Sequence, residues 1–425
     1  MPSTYWVETL GCPKNQVDSD KLTGTLGGDG MVAATSVEEA DLVVVNTCAF
    51  VEEARQESID TILALDELRP EGSRLVVTGC MAQRYGDELA DALPEVDQVS
   101  GFGVPVTLGR KPVGLAAAAP PALPSLDLLN LPRPPSDRPW AYVKVAEGCD
   151  KACGFCAIPS FRGPQVSRSI EAILDEVEQL SVREVVLIAQ DLAAYGRDGG
   201  RGARSIVPLV RAVSERVDRV RLLYLYPSEL TDELIELMCG GTTPYFDLSL
   251  QHVAAPLVRR MRRWGNGERY LERIEQIRSL RPDAAFRSNF IVGYPGETES
   301  DHDELLRFIE AAQLDWCGLF AYSPEEGTHA AGLDGAVERA LVDERLAELR
   351  ELSDRITAAR RDGLIGARIE VLVDEPGVGR SHREAPEIDG IVQVPEDLAV
   401  GELHEVRVVD AAGPDLRAAP PGQVP

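Results

Sequence analysis

Three observations predict an α/β chain built in parts. Short apolar runs alternate with helical patterns over most of the length, a proline-dense stretch interrupts the alternation, and the last segment switches to β-branched runs with no helical pattern between them. With 425 residues and domains of roughly 100–200 residues, about three domains are expected. The division read from the chain is an N-terminal open parallel α/β domain at 1–114, a linker at 115–139, a partial (β/α)6 barrel at 140–365, and a small β-barrel with a disordered tail at 366–425.

In the first part, apolar runs at Tyr5 to Leu10, Leu42 to Val45 and Leu75 to Val77 are each followed by a helical pattern, near Ser19 to Gly27, Glu52 to Leu68 and Ala82 to Leu93. Strands alternating with helices imply a parallel sheet covered on its faces. A cysteine follows each strand: Cys12 after Leu10-Gly11, Cys48 after Asn46-Thr47, Cys80 after Thr78-Gly79. Their separations of 36 and 32 residues are close to the ~30 residues of one βαβ unit. Parallel neighbours share a carboxyl edge, where open α/β sheets bind ligands, so three thiols are expected at one crevice. Free cysteine is also a common small buried residue, the reading that suits Cys239 and Cys317.

Seven prolines between Leu115 and Pro139 exclude helix and central strand, which makes that stretch an extended linker. Beyond it, candidate strands are Ala141 to Val145, Val185 to Ala189, Leu222 to Tyr226, Phe246 to Leu250, Asn289 to Val292 and Leu319 to Tyr322. The first helix between them has Ser169 as N-cap and Ile170, Ile173, Leu174 and Val177 on one face. Six such units with right-handed crossovers curl into an incomplete barrel, whose chemistry belongs at the carboxyl ends of its strands. A long helix from Ala336 to Arg361 follows, ended by Gly363 and Gly366. Ile369 to Val373, Ile388 to Val394 and Leu403 to Val409 read as the closing β-barrel, and the proline-containing chain after Gly413 as disordered.

Directly after the first barrel strand stands Glu147-Gly-Cys-Asp-Lys-Ala-Cys-Gly-Phe-Cys, a C-x3-C-x2-C triplet of Cys149, Cys153 and Cys156. A fully ligated 4Fe–4S cube takes four cysteines; three leave one iron open, as catalytic metal sites keep a free position. Structural zinc needs four local ligands, yet all five histidines lie at or beyond residue 252 and no fourth cysteine is near. The N-terminus lacks the basic and apolar regions of a secretory signal, so the thiols are expected in a reducing cytoplasm, and no apolar stretch approaches the ~20 residues of a membrane span. A net charge of −27, from 70 acidic and 43 basic residues, disfavours polyanions and suits basic proteins, though acidity also serves solubility alone.

The triplet with Phe155 before its last cysteine resembles the radical S-adenosylmethionine superfamily. From about Tyr5 to Asp410 the chain resembles the methylthiotransferases of that superfamily, which join a three-cysteine N-terminal domain, a radical barrel and a TRAM module. The resemblance implies two 4Fe–4S clusters, one on Cys12, Cys48 and Cys80 and one on Cys149, Cys153 and Cys156, with S-adenosyl-L-methionine as cofactor. It also implies that the loop cluster serves hydrogen abstraction while the first cluster carries the sulfur. Thr9-Leu-Gly-Cys-Pro-Lys-Asn-Gln-Val-Asp-Ser and Cys156-Ala-Ile-Pro-Ser-Phe-Arg-Gly are similar to the branch that modifies the β-carbon of an aspartate in ribosomal protein twelve of the small subunit. The tRNA-modifying branch typically shows Gly-Cys-Gln-Met-Asn and Val-Pro-Tyr-Thr-Arg-Gly, and neither occurs here. Residues 366–425 contain 12 acidic residues against 5 arginines, so no direct nucleic-acid substrate is expected. An electron donor and a sulfur source are required partners that the chain does not identify. A non-catalytic electron carrier is the reading from another class.

Candidate S-adenosylmethionine contacts are Phe155 and the strand-end residues Gln190, Asp191, Gln251, His252, Gly293, Gly296 and Glu297. Glycines there would let backbone approach a ligand, and polar groups could bond ribose or carboxylate. Strand-to-helix turns and N-caps use the same residue types, and His252 is equally a satisfied rim histidine. Arg259, Arg260, Arg262 and Arg263 form a basic run that reads as a solvated helix face, a nucleic-acid contact or a receiver for an anionic group of substrate.

Overall fold

The computed structural model describes residues 2–102, 129–200 and 206–422. It contains two compact units, one of residues 1–135, 144–151 and 156–172, the other of 136–143, 152–155 and 173–425.

In chain order the first unit begins β1 (Thr4–Thr9), α1 (Pro13–Gly28), β2 (Val32–Ala33), β3 (Leu42–Thr47), α2 (Glu52–Leu68), β4 (Arg74–Gly79), α3 (Cys80–Ala92) and β5 (Gln98–Val99). The strands form one parallel sheet in the order β2-β1-β3-β4-β5. Central β3, Leu-Val-Val-Val-Asn-Thr, is buried along its whole length. Its alternation sends Leu42 and Val44 to one face with Tyr5 and Leu26, and Val43 and Val45 to the other with Ile62, Leu75 and Leu89. Each such aliphatic side chain contributes roughly 1.5–3 kcal/mol by leaving water. Register places Thr9, Asn46 and Thr78 in one row at the carboxyl edge, and each cysteine falls within three residues beyond it.

Helix α1 starts six residues earlier than its apolar periodicity suggests. Pro13 occupies its first turn, where a missing N–H costs nothing, and its buried positions include the polar Asn15, Ser19 and Lys21, which hid the helical stripe. Of the proline-rich linker, 115–128 lies outside the described residues. Residues 129–135 run along α1, with Leu129 buried, its carbonyl accepting from Lys21 Nζ at 2.5 Å, and Arg133 paired to Asp20.

The chain continues with β6 (Trp140–Lys144), β7 (Ala146–Glu147), α4 (Ile158–Arg162), β8 (Val166–Ser167), α5 (Ile170–Leu180), β9 (Glu184–Ile188), α6 (Ile206–Ser214), β10 (Arg219–Leu222), α7 (Asp232–Gly240), β11 (Tyr245–Gln251), α8 (Ala255–Arg260), α9 (Gly267–Leu280), β12 (Ala285–Val292), α10 (Glu299–Ala312), β13 (Trp316–Ala321) and α11 (Arg339–Asp362). Two parallel sheets, β10-β9-β6 and β11-β12-β13, meet at the bridge between Leu225 and Leu248. That makes a six-stranded partial barrel with helices between successive strands. Strand β10 lies three residues before the run expected at Leu222 to Tyr226. Its sequence, Arg-Val-Arg-Leu, looks exposed, but both arginines are buried by ion pairing to Glu184 and Glu370, and Tyr224 at φ 65° ends regular pairing.

A closed barrel, β14 (Arg368–Glu375), β15 (Val378–Arg380), β16 (Val392–Gln393), β18 (Asp415–Ala419) and β17 (Leu403–Ala412) in spatial order, ends the second unit. The expectation of disorder after Gly413 is corrected here. Pro414, Pro420 and Pro421 flank β18 without interrupting it, and Leu416 and Ala418 point inward between Asp415, Arg417 and Ala419.

Candidate metal centre

The first triad is set by short turns after three parallel strands. Cys12 is the extended N-cap of α1, Cys48 follows β3, and Cys80 opens α3 after Gly79. Gly79 has φ +92°, and a Cβ there would lie 2.3 Å from Asn46 Oδ1 and 2.6 Å from the Thr47 carbonyl. Gly11, at φ +95°, would place a Cβ 2.9 Å from Cys48 Sγ. Both glycines therefore permit backbone approach where any side chain would strike the neighbouring turn.

Asn15 ties these turns together: Nδ2 donates to the carbonyls of Leu10 at 2.8 Å and Thr47 at 3.0 Å, while Oδ1 faces the Cys80 thiol at 3.6 Å. Burial pushes the Cys48 thiol up to about 12, with further upward pressure from Cys80 and Cys12 and an opposing pull from Arg162. Burial likewise raises Cys80, against the same guanidinium. Cys12, half-buried, thus adds to the upward pressure on both of the buried thiols. Among the described residues no group of three or more His, Cys, Asp or Glu is arranged to hold a single metal ion. A cube differs in what it asks, because each cysteine binds a different iron and the sulfurs need not converge on one point. The all-sulfur donor set, the burial of Cys48 and Cys80 and the close backbone approach fit such a group. Thiols held protonated by burial must lose their protons to the metal.

Around Cys80 lies a charged set that sequence reasoning missed. Arg162 Nη2 donates to Cys80 Sγ at 2.9 Å and to Asn15 Oδ1 at 2.9 Å, Nη1 donates to Glu147 Oε1 at 2.8 Å, and the guanidinium stacks 4.5 Å from the Phe102 ring. Lys144 Nζ donates to Glu147 Oε2 at 2.6 Å and pairs with Asp18. Burial alone would raise Glu147, but Arg162 and Lys144 hold it well below the usual carboxylate range. The available signal was Lys144 inside the apolar run Trp-Ala-Tyr-Val-Lys-Val-Ala: a lysine buried in a strand needs anionic company.

In the same unit the triplet loop is fastened by Cys149 N donating to the Gly163 carbonyl at 3.0 Å and by Lys151 N donating to Cys149 Sγ at 3.5 Å. Cys149 and Cys156 are half-buried. Gly148, at φ +79°, leaves no space for a Cβ beside the Pro164 carbonyl.

In the second unit Arg263 Nη1 donates to Cys153 Sγ at 3.0 Å, and its guanidinium lies 4.2 Å from the Tyr226 ring. Gly154 is clamped by N–H donation to the Met261 carbonyl and by acceptance from Ala330 N, both at 2.8 Å, with Tyr294 Oη filling the space of a side chain. Phe155 packs against Ala254, Leu257, Met261, Ile291, Tyr294 and Ala330. The arginine run divides accordingly. Arg259 and Arg262 are exposed, Arg260 binds the Pro295 carbonyl and Asp334, and Arg263 reaches the cysteine.

The remaining cofactor candidates fall at the carboxyl edge of the barrel strands. Gln190 and buried Asp191 follow β9, and Gln251 ends β11 in the left-handed region at φ 69°. Strain of that kind, like that at Tyr224, costs roughly 1–3 kcal/mol and clusters at functional sites. His252 is fully buried; Nδ1 accepts from Ala254 N at 3.2 Å and Nε2 has no hydrogen-bond partner, and burial lowers its pKa to about 4. Gly293, Gly296 and Glu297 have framework tasks. A Cβ on Gly293 would lie 2.4 Å from Val342 Cγ2, Gly296 N donates to the Gly335 carbonyl at 2.6 Å, and Glu297 accepts from Gly293 N and from Arg345 at 3.1 Å. Burial raises Glu297 despite those donors.

Comparison with known proteins places these features in a class. Residues 4–101 match the uncharacterized protein family UPF0004, residues 143–309 the radical SAM superfamily, and residues 365–420 the TRAM domain. The radical S-adenosylmethionine methyltransferase TsrM from Kitasatospora setae has the same fold at a TM-score of 0.51 and 13% identity, covering 94% of this chain and 84% of that one. Fold and matches together define a radical S-adenosylmethionine enzyme with a C-terminal TRAM barrel, a class whose chemistry uses an iron–sulfur cluster and S-adenosylmethionine. Among relatives, the ribosomal protein uS12 methylthiotransferase RimO of Moorella thermoacetica is 43% identical over 92% of this chain and 93% of its own length. The RimO of Frankia casuarinae is 41% identical over 96% and 91%. The chain belongs to the RimO family of radical SAM methylthiotransferases.

Proposed function

We propose that this protein adds a methylthio group to the β-carbon of an aspartate in ribosomal protein uS12, using one 4Fe–4S cluster on Cys149, Cys153 and Cys156 and a second on Cys12, Cys48 and Cys80. The observation that supports the two-centre reading is the gathering of Cys12, Cys48 and Cys80 at one sheet edge, two of them buried and one hydrogen-bonded by a buried arginine. When bound, S-adenosylmethionine and the clusters supply the radical that removes hydrogen from an unactivated carbon and the sulfur that replaces it.

The protein's own part is to hold and shield. Arg263 and the Gly154 clamp fix the Cys153 segment, and Phe155 seals it against apolar neighbours. Gln190, Asp191, Gln251 and His252 are the proposed polar contacts for S-adenosylmethionine, and Gly293, Gly296 and Glu297 keep the adjoining turn in shape for it. A protein substrate is favoured over tRNA by the C-terminal barrel. Its Arg380 and Arg383 are buried, and its exposed Arg368, Arg407 and Arg417 bond Glu405, the Gly366 carbonyl and Asp410. Among the described residues no helix is long and apolar enough to cross a membrane, and a cytoplasmic site with an electron donor and a sulfur source is proposed with the activity.

Anaerobically reconstituted protein, incubated with reductant, S-adenosylmethionine, a uS12 peptide and bulk tRNA, is expected to release 5'-deoxyadenosine and to leave a methylthio mass increment on the peptide aspartate. An increment on tRNA would replace this reading with the nucleic-acid one. No consumption of S-adenosylmethionine would leave an electron carrier.

A further inference from the structure

We propose that Arg162 is a positioning residue that raises the reduction potential of the centre on Cys12, Cys48 and Cys80 through its charge and hydrogen bond at the Cys80 sulfur, an inference that rests on the two-centre reading above. Cys80 is buried, so negative charge on its sulfur is not answered by water. The guanidinium is itself buried, and its placement is over-determined by Glu147, Asn15 and the Phe102 ring.

Lys144, Glu147, Asp18 and Arg162 sum to no net charge, yet they are ordered. Nη2 faces the sulfur, whereas the carboxylates of Glu147 and Asp18 bond to Nη1, at 2.8 Å and 3.5 Å. A cation closest to the ligand sulfur favours the reduced, more negative state of a cluster, since potentials follow net charge and hydrogen bonds to sulfur. Arg162 lies six residues after Cys156, so one short segment, Cys156 to Arg162, links a loop cysteine to the first triad within a single packed unit. A merely structural arginine would hold α4 in place and leave the potential unmoved.

The test uses full-length C149A/C153A/C156A protein, reconstituted anaerobically so that only the first centre is present. Iron and sulfide per chain and an EPR-monitored redox titration are measured with Arg162→Met, Arg162→Lys and Glu147→Gln added singly. Arg162→Met is expected to shift the reduction equilibrium at least tenfold toward the oxidised form, about 59 mV for one electron. Arg162→Lys should shift it less, and Glu147→Gln should move it the opposite way by uncovering the guanidinium's charge. A general loosening of the fold would not produce opposite signs. Unchanged midpoints in Arg162→Met, or in Arg162→Lys and Glu147→Gln should the methionine variant not fold, overturn the inference while leaving the two-centre reading intact. A parent triple variant that takes up no iron overturns both.

Discussion

Gly79 has no room for a methyl group. With φ +92° and a Cβ position 2.3 Å from Asn46 Oδ1, Gly79→Ala adds left-handed strain to a backbone clash beside Cys80. The expected cost is about 2–4 kcal/mol, read as a lower thermal midpoint together with a loss of iron bound per chain. His252 makes a second prediction. Its pKa falls from 6.5 to about 4 on burial, so the folded state prefers the neutral ring. Its contribution is fully present above pH 6.5 and is lost as pH drops toward 4, where the unfolded chain takes up a proton that the fold excludes. The whole effect is about 3 kcal/mol, so the stability advantage of wild type over His252→Asn should shrink between pH 7.5 and 4.5 in urea titrations. Parallel curves at both pH values would show that the ring is not the acid-sensitive group. Single residues also mark where sequence reading stopped. Arg162 and Arg263 each find a cysteine sulfur, yet Arg162 stands alone with no periodicity to betray it, and Arg263 was visible only as one of four arginines in a basic run.

Helix α10 carries its start signal in its own residues. Thr298 Oγ1 accepts from Asp301 N at 3.3 Å, and the Asp301 carboxylate accepts from Thr298 N at 2.9 Å, a reciprocal capping box at the end of the loop containing Gly293, Gly296 and Glu297. Thr298→Ala should cost about 1 kcal/mol, and Asp301→Ala a similar amount. Because the two bonds close one box, the double variant should cost less than the sum in a thermal unfolding cycle, and strict additivity would show that they act separately. Strand β3 was legible, its Leu-Val-Val-Val run being apolar and buried on both faces, whereas only the last four residues of β12 were, because Arg287 and Ser288 interrupt its apolar pattern. Strands β10 and β18 were not, because buried arginines in one and flanking prolines in the other look like surface chain until their partners are known.

Within the second unit the C-terminal barrel and the partial barrel share a buried ionic seam. Glu184, fully buried, accepts from Arg221 at 2.8 Å and from Arg380 at 2.9 Å, and Arg219 reaches the carbonyls of Arg380 and Glu370. Burial would raise Glu184, but the arginines hold it at about 2. Removing one partner from such a set strands the others, so Glu184→Gln should destabilise by about 3–5 kcal/mol in denaturant unfolding. A chain ended at residue 364 should be poorly soluble and protease-sensitive, since Arg219, Arg221 and Trp316 would lose their C-terminal partners. A soluble, protease-resistant truncation would show that the seam is dispensable. The acidic whole also sets encounter: binding of a basic uS12 peptide should weaken as salt shortens the reach of the −27 field.

The candidate cysteines and the alternation of strands with helices were readable from local spacing, because residues on one loop or one strand end are placed by a few covalent bonds and a period of two or 3.6 residues, and the family was readable from the resemblance of whole motifs. What only the tertiary structure decided is which charges stand beside those sulfurs and which polar groups vanish into the interior. Arg162 and Cys80 are 82 residues apart in the chain, and their meeting depends on the packing of a whole unit and on the cost of leaving a buried ion without a partner.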